Sequence, residues 1–227
     1  MSFWEPLFLS IKLAILTTCI LFILGILISW GLASLKSGCK PFWEVIINLP
    51  LMLPPTVLGF YLLIIFSPEN TVGKFLQYYF QSRLVFTFEG LLFASVLFNI
   101  PFMVNPLLAG LTNLPSTLKE ASSTLGKSGF VTLIRVLLPA IRPSLASGCI
   151  MTFAHTMGEF GVVMMIGGNI PGETRVASIA IYNEVEAMNY TNAHYYSAIM
   201  LTFILLVLLV LQFANRNTSR GKKMRHD

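Results

Sequence analysis

Long apolar stretches separated by short polar segments dominate this chain. Five of them are long enough to cross a bilayer, at about 7–33, 42–66, 86–111, 144–167 and 195–214. A transmembrane helix needs about 20 mostly apolar residues, because each residue advances only about 1.5 Å. The alternating short segments of a membrane barrel are not seen in the sequence. Backbone groups in lipid must bond within the protein, so the pattern predicts an all-α polytopic membrane protein with about five spans.

Composition agrees with a membrane environment. The chain has 227 residues, of which 55% are hydrophobic and 11% charged, with a mean hydropathy of +0.75. A soluble domain would carry about a quarter charged residues. The net charge of +5 does not indicate a nucleic-acid partner, because the basic residues concentrate in a few short loops and one tail. That distribution is typical of membrane topology.

The basic residues also predict orientation, since Lys and Arg concentrate in cytoplasmic loops. Two loops and the tail are basic, whereas the opposite side carries Lys74, Arg83 and Arg175, and Lys12 lies near the start of the first span. The basic residues of the first group are Lys36, Lys40, Lys119, Lys127, Arg135, Arg142, Arg216, Arg220, Lys222, Lys223 and Arg225. We therefore expect one transmembrane domain over 1–227, with the N-terminus outside, the C-terminus in the cytoplasm and a cytoplasmic loop at 112–143.

The second span contains three prolines within six residues, Pro50, Pro54 and Pro55. Each proline lacks a backbone donor and clashes with the preceding turn, so the helix must be interrupted. Broken backbone is not tolerated against lipid, so this region should face protein or a water-filled path. We expect Pro54, Pro55 and Thr56 to line a pathway or gate, with a kink needed only for packing as the alternative.

The third span has two amides next to prolines, Asn99 and Asn105, which predicts another kink. These amides either line the pathway or form hydrogen bonds between helices.

The fourth span carries His155 and Glu159, four residues apart and hence on one helical face. Ionisable residues inside a membrane suggest function. A metal site is not expected, because the second His of a His-Glu-x-x-His motif is missing. Glu159 is expected either to bond to backbone or a neighbouring helix, or to act in a gate that Gly158 and Gly161 allow to bend.

The loop at 112–143 predicts two short helices. Ser116 is suited to cap a helix over 117–125, and Gly126 can adopt the left-handed conformation that ends it. An apolar second helix over 130–138 then meets Pro139. Two short helices across the cytoplasmic face would form a rigid lever.

No catalytic residue and no cofactor bound by this chain are expected. Gly126-Lys127-Ser128 imitates the end of a phosphate-binding P-loop, but the first glycine of that motif would fall at Ala121. The surroundings are also helical, without a preceding strand. If this protein pumps a solute, a partner must hydrolyse the ATP.

The sequence of this loop resembles the motif with which the membrane subunits of bacterial ABC importers bind their ATPase. That motif reads Glu-Ala-Ala, three residues, Gly, nine residues, then Ile-x-Leu-Pro. Here Ser122 replaces the second Ala and Val136 the Ile. The residues that the resemblance assigns to the ATPase contact are Glu120, Ala121, Ser122, Gly126, Leu138 and Pro139.

Three further stretches, 48–59, 157–161 and 168–175, resemble molybdate permeases, whose sulfate/thiosulfate and tungstate relatives are similar. The resemblance implies a type I importer permease in the bacterial inner membrane, dimeric with a second copy of itself. It also implies two cytoplasmic ATPase subunits using ATP and Mg, and a periplasmic molybdate-binding protein. No Lys or Arg lies at the centre of a predicted span. The chain would then be a passage with a weak site.

Three other functions remain open at this stage. A proton-coupled carrier would rest on His155 and Glu159, but normally needs more spans and an internal repeat. An intramembrane enzyme would need a nucleophile with its base, or a set of metal ligands. An assembly subunit without transport would not need the ATPase-gripping loop. Dependence of transport on ATP separates the carrier from the importer.

Overall fold

The computed structural model of the chain describes residues 3–35, 38–80 and 83–223. Within these ranges the backbone forms twelve α-helices and one π-helical segment, Leu133–Leu137, and contains no strand. The helices are α1 (Glu5–Ser34), α2 (Lys40–Met52), α3 (Pro55–Phe66), α4 (Thr71–Phe80), α5 (Phe88–Thr112), α6 (Thr117–Thr124), α7 (Gly129–Thr132), α8 (Leu138–Ala140), α9 (Arg142–Gly158), α10 (Gly161–Gly167), α11 (Ala177–Glu186) and α12 (Tyr190–Lys223). The predicted all-α class is confirmed.

Three helices are long and apolar enough to cross a membrane, namely α1, α5 and the Tyr190–Val210 part of α12. Two bent pairs qualify together: α2 with α3, bent by 102°, and Gly129–Ala140 with α9, bent by 80°. If each pair is one span, the described residues give up to five, the number predicted. Lys36 and Arg225, which entered the prediction of orientation, lie outside the described residues.

Helix α5 lies at the centre of the packing and contacts α1, α2, α9 and α10. Leu91 and Phe98 of α5 pack with Leu13 of α1 and with Val162 and Ile166 of α10 in the largest buried cluster. The helix continues through both of its internal prolines. It therefore contacts both interrupted spans as one continuous helix.

The predicted interruption of span two is confirmed. Helix α2 retains Pro50 and ends at Met52, Leu53 and Pro54 are extended, and α3 starts at Pro55. The two prolines at the junction have no N–H for a helical bond, so the chain turns sharply there.

The region predicted as the fourth span, about 144–167, contains two helices and not one. Helix α9 ends at Gly158, Glu159 is extended with φ −71° and ψ 133°, and α10 starts at Gly161. The Glu159 carbonyl accepts a 2.6 Å hydrogen bond from the Ser178 hydroxyl of α11. A side chain from a distant element thus takes the bond that a continuing helix would supply.

Two short helices lie between the predicted spans: α4 in the segment 67–85 and α11 in the segment 168–194. Helix α11 is held against α1, because the Ala177 N–H donates to the Ser10 hydroxyl at 2.8 Å. Since Ser178 binds the Glu159 carbonyl, α11 connects the break in the fourth span to the first span.

Candidate functional site

The interruptions of the second and fourth spans pack against each other. Helices α3 and α10, which follow the two breaks, are in direct contact. A Cβ atom placed on Gly161 would lie 2.7 Å from the Pro55 Cβ and 3.3 Å from the Thr56 nitrogen. Pro55 and Thr56 are exposed on the other side. Three predicted pathway residues, Pro55, Thr56 and Gly161, therefore meet at one contact.

A second glycine keeps the same two helices close. A Cβ on Gly59 of α3 would lie 2.8 Å from the Met165 Cβ and 3.1 Å from the Val162 Cα of α10. By contrast, a Cβ on Gly158 would have nothing within 4 Å. Gly59 and Gly161 are thus required by close approach, whereas Gly158 is not part of the contact.

A buried polar cluster lies beside the break at Glu159. The Glu159 side chain is 5% exposed, and its Oε2 atom accepts a long, 3.5 Å hydrogen bond from the Ser95 hydroxyl of α5. Its Oε1 atom has no hydrogen-bond partner among the described residues. One turn along α5, the Asn99 amide donates to the Ser95 carbonyl at 2.8 Å.

His155 belongs to the same cluster. Its Nδ1 atom lies 3.0 Å from the Asn99 Oδ1, and its ring stacks on Phe102 with centroids 3.9 Å apart. Phe98 approaches the ring at a centroid distance of 5.3 Å. The expectation that His155 and Glu159 share a helical face is wrong, because α9 ends at Gly158 and Glu159 is outside the helix. Both nevertheless reach α5, His155 through Asn99 and Glu159 through Ser95.

The other predicted amide, Asn105, is not part of this cluster. Its Nδ2 atom donates to the Asn48 Oδ1 atom of α2 at 2.7 Å, and both side chains are half-buried. Of the two roles open for this residue, the bond between helices is the one observed. Such bonds between membrane helices are worth about 0.6 kcal/mol on average.

Sequence reasoning did not single out Ser95, Ser178 or Asn48, although all three bond to predicted residues. Ser95 could have been found, because it precedes Asn99 by four residues and shares its helical face. Ser178 and Asn48 carry no such local signal. Their partners, Glu159 and Asn105, are 19 and 57 positions away.

The loop after α5 contains the two predicted short helices. Helix α6 covers Thr117–Thr124, and Gly126 has φ +67°, so the predicted left-handed end is confirmed. Ser116 makes no side-chain capping bond, and that prediction is wrong. Its backbone is helical, with φ −56° and ψ −31°, whereas a capping side chain requires an extended residue.

The second arm of this loop is longer than predicted and partly π-helical. It runs from α7 through the segment Leu133–Leu137 to α8. Leu133 and Leu137 are almost fully buried and pack with Leu111 at the end of α5 and Ile141 at the start of α9, next to Trp30 of α1. π-Helical turns are rare and frequently mark functional sites. This arm is therefore joined to three spans.

The six predicted ATPase-contact residues differ in exposure. Glu120, Ala121, Gly126 and Pro139 are exposed, and Leu138 is half-buried. Ser122 is 6% exposed, and its hydroxyl lies 2.7 Å from the Thr132 hydroxyl of α7. Ser122 thus faces its own chain, although it belongs to the same motif as its exposed neighbours.

The motif at 168–175 forms a compact turn that leads into α11. The buried Thr174 hydroxyl donates to the Gly167 carbonyl at 2.6 Å and accepts from the Ile170 N–H at 2.8 Å. Asn169 exchanges two amide hydrogen bonds with Asn183 of α11, at 3.0 and 2.9 Å. These contacts position the helix that holds the Glu159 carbonyl.

Known proteins with similar sequences are membrane components of transport systems. The family model described as "Binding-protein-dependent transport system inner membrane component" matches residues 21–223. The "Molybdenum transport system permease protein ModB" of Azotobacter vinelandii is 43% identical over 208 residues, 92% of each chain. The "Probable sulfate transport system permease protein cysT" of Prototheca wickerhamii is 32% identical over 211 residues, 93% of this chain and 82% of that protein.

A solved structure has the same fold at low sequence identity. It is described as a bacterial ABC transporter involved in the import of the acidic polysaccharide alginate. The matched chain superposes with a TM-score of 0.77 and 17% identity, over 94% of this chain and 78% of its own length. At this identity the likeness concerns the fold alone.

Proposed function

This chain belongs to the family of binding-protein-dependent transport system inner membrane components, and we propose that it is the membrane-spanning permease subunit of an ATP-driven molybdate importer. The observation that carries the substrate is the 43% identity to a molybdenum permease over 92% of both chains. Tungstate, which has the same charge and shape, should share the path. The alternative is sulfate, supported by the 32% identity to a probable sulfate permease.

The fold is that of a type I ABC importer permease, and the chain is a multi-pass membrane protein. The proposed orientation, with the N-terminus in the periplasm and the C-terminus in the cytoplasm, rests on the distribution of Lys and Arg. In this orientation α6 faces the cytoplasm.

The energy source in this proposal is a pair of separate ATPase subunits that use ATP and Mg. Helix α6 presents Glu120 and Ala121 on an exposed surface, as a docking helix requires. The second arm packs against the ends of α1, α5 and α9, so movement of α6 would reach the spans as a rigid body. Closure of the two ATPase subunits around ATP would open the path to the periplasm. Hydrolysis of the ATP would then open the path to the cytoplasm.

The path itself is proposed to lie between two copies of this chain. Pro54, Pro55 and Thr56 are exposed at the break between α2 and α3. Broken backbone does not face lipid, so this surface requires protein or water beside it. A second copy and an aqueous path would supply both, and a periplasmic molybdate-binding protein would deliver the anion from above.

Uptake of labelled molybdate tests the proposal. Cells would carry this chain with a candidate ATPase and binding protein, and parallel cells would carry an ATPase unable to hydrolyse. We expect uptake only with the active ATPase, outcompeted by tungstate but not by sulfate. Competition by sulfate would assign the chain to the sulfate permeases. Uptake independent of the ATPase would contradict the importer and favour a proton-coupled carrier.

Charge reversal at Glu120 tests the docking helix. We expect Glu120→Lys to abolish uptake while the protein still reaches the membrane, because α6 would present the wrong charge to the ATPase. The matched control is Glu69→Lys, which reverses another exposed carboxylate in the segment between α3 and α4. Normal uptake by Glu120→Lys, or equal loss in both variants, would contradict the assignment.

A further inference from the structure

Helix α6 is attached to the rest of the described chain at a single buried point. Of its eight residues, all described, only Ser122 is buried. A cavity of about 260 Å³ lies beside this point, and Trp30 of α1, Lys119 of α6 and Thr132 of α7 are among its lining residues. Helix α6 is held to α7 through Ser122 and Thr132.

The direction of the Ser122–Thr132 hydrogen bond follows from the neighbouring contacts. The two hydroxyl oxygens are 2.7 Å apart, and the Thr132 oxygen also lies 3.0 Å from the Ser128 carbonyl. A carbonyl can only accept, and a threonine hydroxyl has one hydrogen to donate. Both contacts are hydrogen bonds at once only when Thr132 donates to the Ser128 carbonyl and Ser122 donates to Thr132. The result is a one-way chain from α6 to the start of the second arm.

Resting on the proposed function, we propose that Ser122 and Thr132 form the joint that transmits movement of the docking helix to the spans. Ser122 is a positioning residue in this arrangement: it holds the exposed face of α6, including Glu120, in a fixed relation to α7. The same arm continues into Leu133 and Leu137, which pack against three spans. The joint thus links the ATPase-facing surface to the transmembrane core through the second arm.

The one-way chain predicts an asymmetry between the two single substitutions. Ser122→Ala removes a donor and leaves Thr132 bonded to the Ser128 carbonyl, so no buried group loses its partner. Thr132→Val removes the acceptor and leaves the buried Ser122 hydroxyl without it. An unsatisfied buried donor costs more than a missing bond. Ser122→Ala, which introduces the residue that the family motif has at this position, should therefore be tolerated better than Thr132→Val.

The measurement is molybdate uptake per ATP hydrolysed, in vesicles containing the full complex of this chain with its ATPase and binding protein. We expect Thr132→Val to lower this ratio about ten-fold and Ser122→Ala about two-fold, in proportion to the different polar costs. ATPase binding and hydrolysis should persist in both. Thr132→Ser, which keeps the hydroxyl, should restore the ratio.

Two controls separate the joint from general destabilisation. Thr112→Val makes the same substitution at a hydroxyl that bonds only within its own helix, to the Leu108 carbonyl at 2.9 Å and the Ala109 carbonyl at 3.2 Å, and should leave the ratio unchanged. The double variant Ser122→Ala with Thr132→Val should recover toward the Ser122→Ala value, because the donor without an acceptor is gone.

Three results would overturn the joint. They are a Thr132→Val ratio equal to that of Thr112→Val, a double variant that multiplies the two single losses, and uptake that falls strictly in step with ATP hydrolysis. Absence of ATP-dependent uptake by the unmodified complex would instead contradict the proposed function. The two failures are therefore distinguishable in one set of vesicles.

Discussion

A methyl group added at Gly161 should separate the two interrupted spans. The new Cβ would lie 2.7 Å from the Pro55 Cβ and 3.4 Å from the Pro55 carbonyl carbon. Non-bonded carbon atoms normally stay about 3.5 Å or more apart. The proline ring and backbone cannot rotate away as a flexible side chain would. Helices α3 and α10 must therefore move apart, by several tenths of an ångström.

The cost follows from the nature of the contact. Overpacking at a close-packed interface costs about 1–3 kcal/mol when backbone must shift. Gly158→Ala provides the matched control, because its Cβ would have nothing within 4 Å and the residue is exposed at the end of α9. Alanine there should be neutral or stabilising by up to about 1 kcal/mol, through its higher helix propensity. The two variants should thus differ by more than 1 kcal/mol.

Unfolding of the purified protein in mixed detergent micelles measures this difference, and molybdate uptake reports its functional effect. We expect Gly161→Ala to unfold at a lower fraction of denaturing detergent and to transport molybdate more slowly. Gly158→Ala should behave like the unmodified protein. Gly59→Ala probes the same interface from α3, where the new Cβ would lie 3.1 Å from the Val162 Cα. It should resemble Gly161→Ala.

Unfolding of Gly161→Ala at the same detergent fraction as Gly158→Ala would refute a close contact between α3 and α10. Opposite changes in the stability of Gly59→Ala and Gly161→Ala would refute it too, since both variants report one contact.

Three smaller perturbations test the polar contacts between the helices, each by the same unfolding and uptake measurements. Glu159→Gln should be tolerated better than Glu159→Leu, because glutamine keeps the shape of the side chain and an acceptor for the Ser95 hydroxyl. Equal effects of the two substitutions would show that the Ser95 contact does not contribute to stability. Ser178→Ala should cost about 1 kcal/mol by releasing the Glu159 carbonyl, and an unchanged midpoint would contradict its role in the break. Replacing Asn48 and Asn105 together by leucine should cost less than the sum of the single changes, because each single change leaves one amide unpaired, and strict additivity would argue against the bond.

Several features of this protein were predictable because they depend on local stereochemistry or on the solvent. Long apolar runs require helices in lipid, and the all-α class follows directly. Pro54 and Pro55 lack N–H donors, so the break in the second span could be located to within a residue or two. Gly126 can adopt positive φ at no steric cost, which gave the end of α6.

The features that depend on partners far along the chain were not predictable. Gly158 and Gly161 allow a bend, but they do not show that α9 ends before Glu159, whose carbonyl accepts a hydrogen bond from the Ser178 hydroxyl of α11, 19 positions away. Similarly, the sequence does not indicate the partner of Asn105, because Asn48 lies 57 positions away on α2.

Ser122 shows the same division within one motif. The sequence by itself determined the helix, its glycine end and the likeness to an ATPase-gripping loop, because these are properties of spacing and of backbone preference. Only the tertiary structure decided which way each residue faces. Packing of the second arm against the spans places Thr132 beside Ser122, and leaves Glu120 and Ala121 exposed. A hydrogen bond between two hydroxyls on different helices exists only once both helices have been positioned by their apolar contacts.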